Sequence, residues 1–284
     1  MITRLPNVKS VRENLSNIHQ PIALVPTMGA LHEGHLALLR DARKRVGPNG
    51  KVIISIFVNP IQFDRSSDLD NYPQPLEEDL ALCEKEGVDF AFIPDKNDLY
   101  PDDFSVLVTE SLLTQHLCGM TREGHFDGVL TIVLKLFNIC QPNIAIFGKK
   151  DFQQLALIER MARDLDLPIE IIGHPTVREN DGLALSSRNV RLTSGQRADA
   201  PRIQRALRAA QALKKSTDEQ NANIYLETAR SSLLKDAPQD FAIDYLQLVD
   251  AENLQPISRV TKPAFLATAC FYGEIRLIDH ISIS

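Results

Sequence analysis

The feature that most restricts the fold is an alternation along the first half of the chain, where short apolar runs take turns with amphipathic stretches of helical period. Strands separated by helices of that length pair side by side as parallel βαβ crossovers, so an open α/β sheet with helices on both faces is expected. Residues 21–25 read as a first strand and residues 35–46 as a helix with Leu36, Leu39, Ala42 and Val46 at helical spacing. Residues 51–58 are β-branched and nearly all apolar, as befits a central strand covered on both sides. Residues 59–75 follow neither period and read as a long loop. Helix 76–86 closes at Gly87, and strand 88–93 ends before Pro94. A strongly apolar helix (129–140), a strand (143–147), a helix (152–164) and a last strand (169–172) complete the rhythm.

Beyond residue 175 the texture changes. Residues 196–215 and 220–235 read as Ala- and Leu-rich surface helices, and runs 241–249, 264–272 and 275–283 as a small antiparallel sheet. At roughly 150 residues per domain, a chain of 284 residues accommodates this division: 1–175 as the parallel-sheet domain and 176–284 as a smaller α+β domain. The balance of 31 Lys and Arg against 37 Asp and Glu, net −6, argues against a surface that tracks a nucleic-acid backbone. Four widely spaced cysteines form no CxxC pair, so neither a disulfide framework nor a thiolate zinc site is expected, and a reducing cytoplasm fits. The longest apolar run is far below the roughly 18 residues of a membrane helix, and the first ten residues hold no signal core.

In an open parallel sheet, ligands bind beyond the carboxyl ends of the strands, and four segments carry chemistry there. Residues 26–35, PTMGALHEGH, join the first strand to the first helix. Gly29 and Gly34 permit close backbone approach, the helix start is read as a row of open N–H donors, and His32 and His35 share a face three residues apart. That combination suits phosphate, although a glycine-bearing turn with a structural His pair is equally compatible with the spacing. Zinc fits less well, because the metalloprotease pattern separates its histidines by four and no third ligand follows. The second segment, Gly148-Lys149-Lys150-Asp151, repeats the strand-to-helix topology, with Gln154 on the face of Lys150; the third, Leu185-Ser186-Ser187-Arg188, offers two hydroxyls and a planar guanidinium fork. Residues 59–63 carry the neutral amide of Gln62 off the central strand. Each of these is also readable as an ordinary turn.

Taken together, the strings PTMGALHEGH (26–35), SIFVNPIQF (55–63), REGHFDGV (122–129), FGKKDFQQL (147–155) and DGLALSSRN (181–189) closely resemble the pantothenate synthetase (pantoate–β-alanine ligase) family, over nearly the full length. The resemblance implies a Rossmann-like N-terminal domain of the HxGH nucleotidyltransferase and synthetase group. It implies a reaction in which ATP and pantoate give an enzyme-bound pantoyl adenylate and pyrophosphate, after which β-alanine attacks to give pantothenate and AMP. Carried over by position, Met28, Gly29, Ala30, Leu31, His32, Glu33, Gly34 and His35 line the ATP site, with His35 catalytic. Gly148, Lys149, Lys150, Asp151, Val177, Leu185, Ser186, Ser187 and Arg188 also contact ATP, and Gln62 and Gln154 hold pantoate. The same resemblance implies Mg2+ held mainly through the phosphates, no dedicated protein metal site, and a homodimer with no nucleic-acid or membrane partner. Lys149 stands where many members have Glu, which matters little if the contact is made by backbone, and Cys118 stands where some have an acid and is given no catalytic role. A related nucleotidyltransferase acting on another small acceptor, and a non-catalytic nucleotide-binding protein, are the alternatives.

Overall fold

The computed structural model describes residues 2–217 and 219–284, and the chain divides into two compact units. The first comprises Met1–Glu110, Glu123–Lys149 and Gln154–Pro175; the second comprises Ser111–Arg122, Lys150–Gln153 and Thr176–Ser284.

The first unit is built on six strands, β1 (Thr3–Leu5), β2 (Ile22–Thr27), β3 (Lys51–Ile56), β4 (Phe90–Phe92), β5 (Ile144–Gly148) and β6 (Glu170–His174). They pair in the order β1-β4-β3-β2-β5-β6, every pair parallel. From β2 the chain steps outward to β3 and β4, then returns to place β5 on the other side of β2. The strand order therefore reverses at β2/β5, which is where an open α/β sheet opens its ligand crevice. Ala23, Leu24, Val25, Ile53, Ile54 and Ile146 are wholly buried, as strands sandwiched between helices require.

Most expected elements are present, with informative shifts. β1 was not anticipated; three residues are too few to display a period. Residues 59–75 are not bare loop but hold a 3-10 turn, Pro60–Gln62, and a short helix, Ser66–Asp70. The apolar helix begins earlier, at His125, because Gly124 takes a left-handed conformation (φ +70°) that lets the chain enter it. The stretch read as helix 196–215 breaks at Pro201 into Ser194–Asp199 and Arg202–Ser216.

In the second unit, β7 (Phe241–Asp250), β8 (Ala264–Tyr272) and β9 (Ile275–Ile283) form an antiparallel meander. Helices Arg202–Ser216 and Ala222–Leu234 cover it, burying Leu207, Tyr225, Leu266, Tyr272 and Ile283 in one core. All four cysteines are buried free thiols, and burial pushes those of Cys83 and Cys140 up to about 12. Among the described residues no helix is long and apolar enough to cross a membrane.

Candidate active site

The turn leaving β2 is bent by two consecutive residues of positive φ, Gly29 (+82°) and Ala30 (+51°). For Ala30 that conformation costs about 1–2 kcal/mol, so something must hold it. The holder is Asp79, from the first turn of helix Leu76–Lys85: its Oδ2 accepts from the Ala30 N–H at 2.8 Å and its Oδ1 from the Leu31 N–H at 2.7 Å. Asp79 is only 1% exposed, and burial raises its carboxyl above the usual range while the two amide bonds oppose the rise. Gly29 is required as well, because a Cβ there would lie 3.0 Å from Asp79 Oδ2 and 3.2 Å from the Ile56 side chain. Its own N–H donates to Thr27 Oγ1.

Helix Glu33–Val46 then starts on a pair of imidazoles. His32 Nδ1 accepts from the Gly34 N–H at 3.1 Å, His35 Nδ1 accepts from the His32 N–H at 3.3 Å, and the ring centroids are 4.1 Å apart. The His35 N–H donates to the His32 carbonyl. A ring nitrogen that accepts carries no proton, so both histidines hold theirs on Nε2. The amides of residues 29, 30, 31, 32, 34 and 35 are thus all engaged inside the loop. This revises the sequence reading of the helix start as a row of open N–H donors: what the loop offers is side-chain donors on a rigid backbone. The Glu33 carboxylate turns to Arg40, which holds its pKa down.

Beside this loop, on the 3-10 turn that follows β3, stands Gln62. The wholly buried Asn59 donates from Nδ2 to Gln62 Oε1 (2.9 Å) and to the Gly128 carbonyl (3.1 Å), and accepts at Oδ1 from Tyr100 Oη (2.9 Å). Burial pushes the Tyr100 phenol well above its ordinary range, which keeps it a donor. His125 Nδ1 donates to the Gln62 carbonyl at 2.7 Å. These contacts fix the Gln62 oxygen, while its Nε2 donates to the thioether of Met28 at 3.2 Å, tying the turn to the loop after β2. Asn59, Asp79, Tyr100, His125 and Gly128 were given no role from the sequence.

β5 ends at Gly148, and Lys149–Asp151 form a 3-10 turn into helix Phe152–Asp164. The Lys149 stem lies over Gly173 of β6, and its charge acts on Glu159. Its side chain is therefore committed to β6 and the helix behind it. In the second unit, Lys150 Nζ is 3.6 Å from Asp151 Oδ2. The adjacent glutamines differ sharply. Gln153, 3% exposed, donates to the carbonyls of Leu113 and His116 and accepts from the Cys118 N–H, whereas the Gln154 amide has no hydrogen-bond partner among the described residues.

The Val177–Arg188 segment folds as a narrow hairpin, with the Leu185 N–H on the Val177 carbonyl and a bridge between Arg178 and Ala184. Arg178 anchors it by a two-pronged bond to Asp279 (2.6 and 2.8 Å). Ser186 Oγ caps the 3-10 turn Ser187–Arg191 by accepting from the Arg188 N–H. Of the residues expected to contact ligands, Met28–His35, Gln62, Gly148, Lys149 and Gln154 lie in the first unit, and Lys150, Asp151, Val177 and Leu185–Arg188 in the second.

The family model described as Pantoate-beta-alanine ligase matches residues 1–282. The chain belongs to that family. Pantothenate synthetase of Akkermansia muciniphila is 49% identical over 268 residues, 93% of each chain, and that of Caldicellulosiruptor saccharolyticus is 44% identical over 283 residues, covering 100% and 99%. Pantothenate synthetase from Thermus thermophilus superposes with a TM-score of 0.93 at 41% identity, over 99% of both chains. The pantoate-beta-alanine ligase of Francisella tularensis, solved in complex with Beta-gamma ATP and Beta-alanine, matches at a TM-score of 0.80 and 34% identity over 99% and 97% of the chains. Members of the family are ligases, and so is this chain. The imidazole pair after β2, the amide after β3 and the turn after β5 are thus the three loops of a pantoate–β-alanine ligase that leave neighbouring strands at the reversal of its sheet.

Proposed function

We propose that this protein condenses pantoate with β-alanine at the expense of ATP, through an enzyme-bound pantoyl adenylate, in the synthesis of pantothenate. The observation that carries the reading is the pre-set pair of Nε2–H imidazoles at His32 and His35 beside the Gln62 amide. A carboxylate resists attack by an amine until one oxygen becomes part of a leaving group. In the first step a pantoate carboxylate oxygen attacks the α-phosphorus of ATP and pyrophosphate departs. In the second, the β-alanine amine attacks the acyl carbon, AMP leaves with the bonding pair and the amine loses a proton. Catalysis of this kind rests on positioning and charge stabilisation, and no nucleophilic side chain is needed.

Met28–His35 line the nucleotide, with His35 and His32 donating to oxygens on which charge develops. Gly148 and Lys149 contribute backbone, and Lys150 a cation with Asp151 beside it. Val177, Leu185, Ser186, Ser187 and Arg188, of the smaller domain read as 176–284, also contact the nucleotide, whose other contacts come from the Rossmann-like domain read as 1–175. Gln62 and Gln154 orient pantoate: two neutral amides suit a hydroxy acid, and the unpartnered Gln154 amide is available to it. Mg2+ accompanies ATP, held mainly by phosphates and water. The enzyme works as a homodimer in the reducing, ATP-rich cytoplasm that its free thiols suit; sedimentation at the mass of two chains in analytical ultracentrifugation is the expected result, and a single-chain mass would refute it. The deciding assay is exchange of labelled pyrophosphate into ATP, which should require pantoate and proceed without β-alanine; no exchange from a preparation that still makes pantothenate would sink the adenylate.

A further inference from the structure

We infer that Asp79 is a positioning residue for the nucleotide half of this reaction: its buried carboxylate sets the loop that presents His32 and His35. The inference rests on the ligase reading and adds to it a residue that makes no contact with substrate.

Three observations carry it. The loop between β2 and its helix contains Ala30 in a left-handed conformation that an alanine does not choose, immediately after Gly29 in the same region. Both carboxylate oxygens of Asp79 are used, one on each of two successive N–H groups, so the group grips the bend at two points. Asp79 Oδ2 also sits where a Cβ at Gly29 would come within 3.0 Å, so turn and carboxylate are fitted to one another. With the neighbouring amides held by Thr27, His32 and His35, the carboxylate completes a loop whose backbone donors are directed inward. At these residues incoming phosphates must then be met by side chains, and the geometry of the imidazoles is set by whatever holds residues 30 and 31.

An acid in the first turn of a helix also stabilises that helix through its dipole, and this plainer role has to be separated from positioning. Asp79→Asn does so. It keeps the size of the side chain but leaves one acceptor, and turns an N–H2 toward the second amide. On the full-length chain, calorimetric titration with a non-hydrolysable ATP analogue should show at least about a tenfold loss of affinity, as expected when a buried amide loses its acceptor. Pantoate affinity should stay within about twofold, and the Ala30 and Leu31 amide protons should lose their protection from exchange. An unchanged ATP-analogue affinity in folded Asp79→Asn, or an equal loss for both ligands, would overturn the inference. If Asp79→Asn does not fold, Asp79→Glu is read in the same way, since its extra methylene displaces residues 30 and 31 while keeping the charge. Adding Ala30→Gly, which removes the conformational penalty, should recover part of the lost ATP affinity; no recovery would count against the assignment. Failure of pyrophosphate exchange in a wild-type chain that binds ATP would fall on the ligase reading and leave this comparison intact.

Discussion

Gly128 lies inside helix His125–Cys140 at the point where the helix backbone crosses the turn that carries Gln62. A Cβ built there would sit 2.6 Å from the Ile61 carbonyl oxygen and 2.7 Å from the Gln62 nitrogen and Cα. Ordinary contact begins near 3.4 Å, so Gly128→Ala must push the turn away by roughly 0.7 Å, against main chain that has no rotamer with which to yield. Overpacking of this sort costs about 1–3 kcal/mol. Alanine regains about 1 kcal/mol of helix propensity, so the net loss of stability should be about 0–2 kcal/mol. The functional effect should be larger. In the pantoate-orienting role proposed for Gln62, displacement of the amide by most of an ångström is worth on the order of 10–100-fold in rate. Gly128→Ala should therefore melt within a few degrees of wild type while kcat/KM for pantoate in pyrophosphate exchange falls 10–100-fold, with the loss mainly on pantoate rather than ATP. Gly195→Ala, where an added Cβ meets open space, is the control and should be neutral in both assays. If Gly128→Ala keeps kcat/KM within about twofold of wild type, the placement of Gln62 by backbone contact is wrong.

Three further expectations concern the same elements. His35→Ala removes the Nε2 donor and the acceptor for the His32 amide together, and should lower turnover by about 10²–10³-fold in a steady-state assay. Gln153→Ala removes three buried hydrogen bonds, to the Leu113 and His116 carbonyls and from the Cys118 N–H, and should cost about 2–4 kcal/mol in denaturant unfolding, whereas Gln154→Ala should leave the transition in place and raise the KM for pantoate. Burial pushes the Asp89 carboxyl up, but the Val52 N–H, Arg43 and Lys51 outweigh it and hold its pKa below the usual 3.8. A depressed carboxylate contributes stability above its unfolded pKa and loses it as pH falls through the folded one. The acid limb of the stability curve below about pH 4 should accordingly be shallower in Asp89→Asn, as read by unfolding at several pH values.

The layered fold was legible because its strands are unusually pure: the apolar run feeding β3 and the three β-patterned runs that become β7–β9 admit few other readings. What escaped were short or interrupted pieces. β1 has three residues and is defined only by its pairing with β4, and the break at Pro201 lies inside a composition that is helical on both sides. At the candidate site the residues proposed to meet ligands, His32, His35 and Gln62, were visible because they sit in strings that together resemble one family. Their supports were not. Asp79 is 49 residues from Ala30, Tyr100 is 41 from Asn59, and Gly128 is 69 from Asn59, so no local pattern connects them. Asp79 stands among three acids in the first turn of its helix, and Gly128 lies just before the stretch read as helix 129–140. The open amides inferred for the start of helix Glu33–Val46 are the counterpart error, because the acceptors that fill them include two side chains of the motif itself.

The bond between the Gln62 amide and the Met28 sulfur has a chemical consequence of another kind. A thioether is among the weakest acceptors in a protein, so the amide that holds it is released at little cost when a better oxygen arrives. Oxidation reverses that. As a sulfoxide, Met28 would present a strong S=O acceptor at the same place, retain the Gln62 donor and compete with any incoming ligand for it. Met28 is only partly buried, so peroxide can reach it. The enzyme thus carries, next to the Gln62 amide, a lesion site whose damage would be a single added oxygen atom and whose repair would be its removal by a sulfoxide reductase.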